Sequence, residues 1–176
     1  LWLAHGQAIR WPAFWRRWIK LAAAALLVTV ATRLALPDYY VFFGILHCLA
    51  LSSLLGLAAL RLPALMIAAL GIAVMAASYH LPGPAFDAPA LRFLGLATQP
   101  VLTVDFEPIF PWFGPFLLGL ATAKLSSQLQ LWPRLHLPET RLTCALAWPG
   151  QHSLAVYLVH QPVLMGLIWL AHKLIG

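Results

Sequence analysis

Apolar residues form long runs along this chain, and charged residues stand in clusters between the runs. No Asp, Glu, Lys or Arg occurs between Glu107 and Lys124, or between Arg141 and Lys173. A helix that spans a bilayer needs about 20 mostly apolar residues. The opening stretch LWLAHG resembles the end of one such helix. The pattern predicts further spanning helices at residues 19–36, 40–60, 62–81, 109–128 and 151–174.

The composition supports a membrane class. Of the 176 residues, 62% are hydrophobic and only 9% are charged, and the mean hydropathy is +0.84. A soluble domain carries about 25% charged residues, so this chain has too few charges to cover a surface that faces water. We therefore expect an all-α fold, a polytopic integral membrane helix bundle with about five full spans. Residues 1–176 are expected to form a single transmembrane domain.

The net charge of +6 does not indicate nucleic-acid binding. The segment that leads into the first full span alternates basic and aromatic residues, which is the pattern of a membrane interface. No separate basic surface remains for a phosphate backbone. If this segment faces the cytoplasm, alternation puts eight basic residues on that side: Arg10, Arg16, Arg17, Lys20, Arg61, Lys124, Arg134 and Arg141. Three fall on the far side, namely Arg33, Arg92 and Lys173, and this excess favours the orientation.

Polar residues interrupt the last apolar run, GQHSLAVYLVHQPVL. On a helix, Ser153, Tyr157 and His160 lie on one face, and Gln161 stands beside them. A polar stripe inside a span faces away from lipid, and Pro162 should kink the helix next to it. His160 therefore either lines a polar cavity and handles a proton, or only hydrogen-bonds a neighbouring helix.

Two other stretches carry candidate chemistry. FFGILHCLALSSLLG places His47 inside a predicted span, either for helix packing or for function. DFEPIFPWFGPFLLG places Asp105 and Glu107 before a span that Trp112 begins at the interface. The two acids either cap the free amides at the entrance of that span, or orient a histidine or bind an amine. The spacing of His and Cys predicts no metal site.

These stretches also carry a resemblance to a known family. FFGILHCLALSSLLGLAAL, DFEPIFPWFGPFLLG and GQHSLAVYLVHQPVL occur in this order, after AFWRRWIKLAAAALLVTVATRL. The ordered set resembles the bacterial proteins grouped with the catalytic domain of heparan-alpha-glucosaminide N-acetyltransferase, also called DUF1624. The resemblance covers essentially the whole chain.

The resemblance implies a bundle of membrane helices in the bacterial inner membrane. It implies transfer of an acetyl group from cytoplasmic acetyl-CoA to an amino sugar or another envelope acceptor on the far side, with a histidine as general base and no metal. By position, His160 falls on the histidine of the family's last motif, and Ser153 and Tyr157 on its serine and tyrosine. Asp105 and Trp112 fall on the loop motif, whereas His47 stands where relatives often have glutamine.

We assign catalysis to His160, His47 and Asp105. We assign substrate binding to Ser153, Tyr157, Gln161, Trp112 and Glu107. The family's first span carries an Arg-Gly stretch and a histidine usually taken as catalytic, and that segment lies upstream of Leu1. We therefore expect this chain to be a fragment without that span, and the fragment alone need not be active.

Two other functions fit the same pattern. A membrane transporter would also need a kinked span with a polar stripe, and a non-catalytic membrane subunit would need neither donor nor acceptor. The expected partners are membrane lipid, acetyl-CoA and the acceptor, without nucleic acid. A homodimer is an arrangement that the sequence allows.

Overall fold

A computed structural model describes residues 9–131 and 140–175, without the side chains at 161, 162, 165 and 175. Every regular element in these ranges is helical, which confirms the all-α class. The chain divides into two compact units, Leu1–Trp132 and Pro133–Gly176, and each is described by itself. The opening stretch predicted as the end of another span lies outside the described residues.

The first unit contains four α-helices and two short 3-10 helices. The α-helices are α1 (Trp11–Ala35), α2 (Ile45–Ala59), α3 (Ala64–His80) and α4 (Ile109–Gln128). The 3-10 helices, Pro84–Phe86 and Pro89–Leu94, lie between α3 and α4. Five prolines in this segment exclude a long helix there: Pro82, Pro84, Pro89, Pro100 and Pro108.

The predicted spans match these helices in position more closely than in length. Among the described helices, α1 alone is long and apolar enough to cross a bilayer, with 25 residues and a mean hydropathy of 1.6. At 1.5 Å per residue, the 15 residues of α2 cover about 22 Å and the 17 of α3 about 26 Å. Both fall short of the ~30 Å of hydrocarbon in a typical bilayer. The count of five full spans is therefore not confirmed.

The tightest packing in the first unit joins α3 to α4. Gly71 and Gly114 face each other, and a Cβ added to Gly114 would lie 2.7 Å from the carbonyl oxygen of Gly71. Two small residues thus allow the two backbones to approach closely. Ile67 and Leu117 are completely buried beside this contact and form the centre of the apolar core.

The long segment between α3 and α4 folds back onto the connection between α1 and α2. The Val104 amide donates to the Tyr39 carbonyl (3.0 Å), and the Glu107 amide donates to the Phe43 carbonyl (3.3 Å). The ring of Phe106 stacks on that of Phe42, with centroids 5.7 Å apart. These contacts bring Asp105 and Glu107 to the beginning of α2.

The second unit contains α5 (Arg141–Gln151) and α6 (Ser153–Ile175). The sequence predicts a loop where α5 lies. Thr140 explains the difference, because its hydroxyl accepts from the Thr143 amide (3.2 Å) and caps the beginning of α5. The α6 helix continues without interruption past position 162. The bend predicted at Pro162 stays a prediction, since that side chain lies outside the described residues.

Candidate functional site

The beginning of α2 is held by a carboxylate from far along the chain. Asp105 Oδ2 accepts a hydrogen bond from the Ile45 amide at 3.2 Å. Gly44 allows this approach, since a Cβ at that position would collide with the Asp105 carboxylate and lie 2.9 Å from Val41 Cγ1. A carboxylate at a helix N-terminus satisfies an amide that has no partner within the helix, and it complements the helix dipole.

This contact corrects one prediction. One of the two roles predicted for Asp105 and Glu107 is to cap the free amides at the entrance of α4, the helix that follows them. In the structure Asp105 caps α2, and the residue before α4 is Pro108, which offers no side-chain cap. The reason is the backward fold of the segment, which brings residue 105 against a helix that begins 60 positions earlier.

His47 takes part in the same helix beginning. Its Nδ1 accepts from the Gly44 amide at 3.3 Å, so that nitrogen carries no proton. Its Nε2 lies 3.1 Å from the Thr29 hydroxyl, which already donates to the Val41 carbonyl at 2.7 Å. The Nε2 proton therefore points to Thr29. Both ring nitrogens are engaged, and the ring joins α1 to α2.

A cavity of about 270 Å³ lies on another side of α2, between α2 and the beginning of α4. We call it the acidic cavity. Its polar lining consists of Cys48, Ser52, Glu107 and Trp112. His47 does not line it, but lines an apolar cavity against α1 instead. The structure thus brings Glu107 and Trp112 together, with Asp105 close by, and turns His47 away from them.

The electrostatics of the acidic cavity centre on Glu107. Partial burial raises the pKa of the Glu107 carboxyl, the negative charge of Asp105 raises it further, and a hydrogen bond from the Trp112 indole acts in the opposite direction. Cys48 and Ser52 are buried in the lining of the same cavity, and the Cys48 Sγ lies 3.9 Å from the Ser52 Oγ. A carboxylate beside an aromatic ring can bind an amine or the hydroxyl groups of a sugar.

A larger cavity of about 860 Å³ lies at the other end of α2, and we call it the basic cavity. Arg61, Lys124, Gln128 and Trp11 contribute to its lining. Lys124 Nζ donates to the carbonyls of Leu60 (2.9 Å) and Leu62 (2.6 Å), which fixes the ammonium group at the turn between α2 and α3. Two cations and an indole suit an anionic ligand with an aromatic group.

The polar stripe of α6 lies in the second unit. Ser153 and His160 are exposed, and Tyr157 is half-buried. His160 Nδ1 bonds the Tyr157 carbonyl, and the two rings lie 5.3 Å apart. Because a carbonyl oxygen only accepts, the proton of the neutral ring sits on Nδ1, and Nε2 keeps its lone pair. The side chain of Gln161 lies outside the described residues.

The sequence gives no sign of several residues that shape the site. Thr29 reads as an ordinary residue of an apolar span, yet it orients His47. Arg61 and Lys124 read as interfacial charges, yet both line the basic cavity. The only signal in the sequence is that Arg61 and Lys124 each lie at one end of an apolar run. Within the residues that the structure describes, no group of three or more His, Cys, Asp and Glu is arranged to hold a metal.

A family model supplies the identification. The model described as "Heparan-alpha-glucosaminide N-acetyltransferase, catalytic" matches residues 1–162. The chain belongs to this family.

No curated protein and no solved structure matches the chain. The match to the heparan-alpha-glucosaminide N-acetyltransferase catalytic family extends over parts of both units and ends within α6. It includes every residue predicted for catalysis or binding, from His47 to Gln161. Membership places the protein in a membrane-integral acetyltransferase family, which agrees with the apolar length of α1.

Proposed function

We propose that this protein transfers an acetyl group from cytoplasmic acetyl-CoA to an amino sugar or a similar envelope acceptor on the far side of the bacterial inner membrane. Both units then act as one acyltransferase domain. The family supports acetyl transfer in general. The acceptor, the donor site and the residues assigned below are part of the proposal.

The observation that carries the proposal is the opposite charge of two cavities along one helix. The basic cavity, with Arg61 and Lys124, lies where α2 ends, and the acidic cavity, with Glu107, lies where α2 begins. Acetyl-CoA carries phosphates and an adenine ring, which match two cations and the indole of Trp11. The amine of an amino sugar matches a carboxylate. The basic end is also the end that the positive charges assign to the cytoplasm.

The reaction needs one base and one site for the developing negative charge. The lone pair of the acceptor nitrogen attacks the thioester carbonyl, the C–N bond forms, the C–S bond breaks, and coenzyme A leaves as the thiol. The nitrogen gives up a proton, and a neutral histidine can take it. We assign this role to His160, because its Nε2 keeps a free lone pair in the tautomer that the Tyr157 carbonyl selects.

The other predicted residues take supporting roles in this proposal. Glu107 and Trp112 bind the acceptor in the acidic cavity, and Ser153, Tyr157 and Gln161 stay assigned to substrate binding. Asp105 and His47 hold the beginning of α2, so that the wall of the acidic cavity keeps its shape. Their contribution to catalysis then acts through position rather than through proton transfer.

The test uses the full-length protein in sealed inside-out membrane vesicles. Labelled acetyl-CoA is supplied outside and glucosamine inside, with His160→Ala as the first variant and His152→Ala as its matched control. His152 is also exposed and also bonds a backbone carbonyl, that of Trp148 in the preceding helix α5 at 3.0 Å. We expect labelled product inside the vesicles with the wild type and His152→Ala, and none with His160→Ala.

Two results would contradict parts of the proposal. Equal transfer by His160→Ala would remove His160 from the mechanism. Substrate movement without any need for acetyl-CoA would instead indicate a transporter. Bulk envelope extract replaces glucosamine if wild-type protein gives no label, and a second failure would reject acetyl transfer altogether.

A further inference from the structure

A third cavity lies between the acidic and basic cavities along α2. This middle cavity has a volume of about 200 Å³ and lies between α2 and α4. It shares Leu57, Leu60 and Ile9 with the basic cavity. It shares Phe116 with the acidic cavity. The three cavities therefore follow one another along the same face of α2.

The middle cavity differs from its neighbours in chemistry. Its lining is apolar except for Ser53, whose hydroxyl donates to the Leu49 carbonyl of its own helix at 2.6 Å. The cations stand at one end of the path and the carboxylate at the other. A ligand that matches this order has an anionic head, a slender uncharged arm and a reactive group at its tip. The acyl-bearing arm of an acyl-CoA has this order of groups.

Phe116 forms the wall between the middle and acidic cavities. Its ring rests on the buried backbone of α2 at Gly56, where an added Cβ would lie 2.7 Å from Phe116 Cε1. The ring of Phe113 stacks on that of Phe116, with ring centroids 5.8 Å apart and an interplanar angle of 21°. The Phe116 ring is therefore held by two neighbours, and it limits the width of a ligand that passes from one cavity to the next.

We propose that Phe116 is a specificity-determining residue, which admits a narrow acyl group to the acidic cavity and excludes a branched one. This inference rests on the proposed function, since the occupant of the groove is the arm of the donor. The reason is steric. A packed ring cannot yield to extra width without losing its contacts with Gly56 and Phe113.

The test compares two donors with equal numbers of atoms. Butyryl-CoA and isobutyryl-CoA are isomers, so they differ in the width of the acyl group and not in its composition. We expect the wild type to use acetyl-CoA and butyryl-CoA and to discriminate against isobutyryl-CoA. Phe116→Ala should raise the ratio of kcat/KM for isobutyryl-CoA to that for butyryl-CoA by about tenfold or more, the range for one misplaced methyl group in a tight pocket.

The matched control is Leu118→Ala. Leu118 lies on the same helix and is also half-buried, but it lines a separate cavity between α3 and α4. The ratio of kcat/KM for isobutyryl-CoA to that for butyryl-CoA should be the same in Leu118→Ala as in the wild type. Phe116→Leu is the second variant, in case Phe116→Ala does not fold, and it should move the ratio in the same direction by a smaller factor.

The possible results separate this inference from the proposed function. Acetyl transfer by the wild type with an unchanged donor ratio in both Phe116 variants would overturn the role of Phe116 and leave the transferase standing. An equal change in Leu118→Ala would show that any cavity in α4 relaxes selection, which also overturns it. A wild type that transfers no acyl group from any donor would reject the proposed function itself.

Discussion

The cap of α2 by Asp105 gives the sharpest test of the structure. Replacing Asp105 by Ala removes the acceptor of the Ile45 amide. A partly buried amide without a partner costs about 1–3 kcal/mol, and helix caps cost about 0.5–2 kcal/mol. Because Asp105 is only half-buried, we expect a loss of about 1–2 kcal/mol in the free energy of unfolding. Asp105→Asn keeps an oxygen but loses the charge, so it should cost only about 0.3–1 kcal/mol.

Thermal unfolding of the purified full-length protein in detergent measures this loss. For a chain of this size, 1–2 kcal/mol corresponds to a fall of about 2–8 °C in Tm. The matched control is Glu107→Ala, because Glu107 lines the acidic cavity without capping α2, and its Tm should change little. Acetyl transfer measured on the same samples shows whether a variant loses activity, stability or both.

Gly44 supplies a second arm of this test. In the wild type, Gly44→Ala pushes a Cβ into the Asp105 carboxylate. In the Asp105→Ala background that conflict disappears, so Gly44→Ala should cost clearly less there. An equal cost in both backgrounds would show that the two residues are not in contact. An unchanged Tm for Asp105→Ala together with lost transfer would refute the capping argument and make Asp105 a catalytic residue.

Four further predictions follow from other contacts. Thr29→Val and His47→Ala should each lower Tm. A double-mutant cycle should give a coupling free energy of about 0.5–1.5 kcal/mol between the two positions. Additive losses of stability would contradict the hydrogen bond between them. Gly114→Ala should lower Tm more than Gly119→Ala, because a Cβ at Gly119 meets nothing within 4 Å. Glu107→Gln should raise KM for an amine acceptor more than it lowers kcat, and an unchanged KM would remove Glu107 from acceptor binding. Hydrogen bonds from Thr98 lower the pKa of the Asp87 carboxyl. The stability that they give is therefore present at neutral pH and is lost as the pH falls through that lowered pKa. Thr98→Val should make Tm fall less at low pH than it does in the wild type, which Tm measured against pH would show.

Much of the helical structure follows from the sequence because long apolar runs make up most of the chain. Long uncharged runs predict helices, since a backbone in lipid must satisfy its own hydrogen bonds. The predicted span at 109–128 coincides with α4 (Ile109–Gln128). The ends of other helices were harder to predict. The α1 helix begins at Trp11, well before the apolar run, because the tryptophans and arginines of its first turns, Trp11, Trp15, Arg16 and Arg17, suit a membrane interface and also form helix.

The candidate site was only partly predictable. The sequence singles out Asp105, Glu107, Trp112 and His47 as candidate site residues, and all four lie around the first half of α2 or the beginning of α4. It does not show which helix Asp105 caps, because that depends on how the segment between α3 and α4 folds back. It also does not show that His47 faces α1, because periodicity fixes the face of a helix and not the neighbour that covers it.

The sequence by itself determined the class, the approximate helices, the family and a list of candidate site residues. These depend on local composition and on the order of motifs, which one chain displays directly. Only the tertiary structure decided which of those residues meet. The hydrogen bond of Asp105 to Ile45, the contact of His47 with Thr29 and the packing of Phe116 on Gly56 join residues far apart in the chain. Their physical cause is packing, in which small residues such as Gly44 and Gly56 permit a close approach that no local pattern specifies.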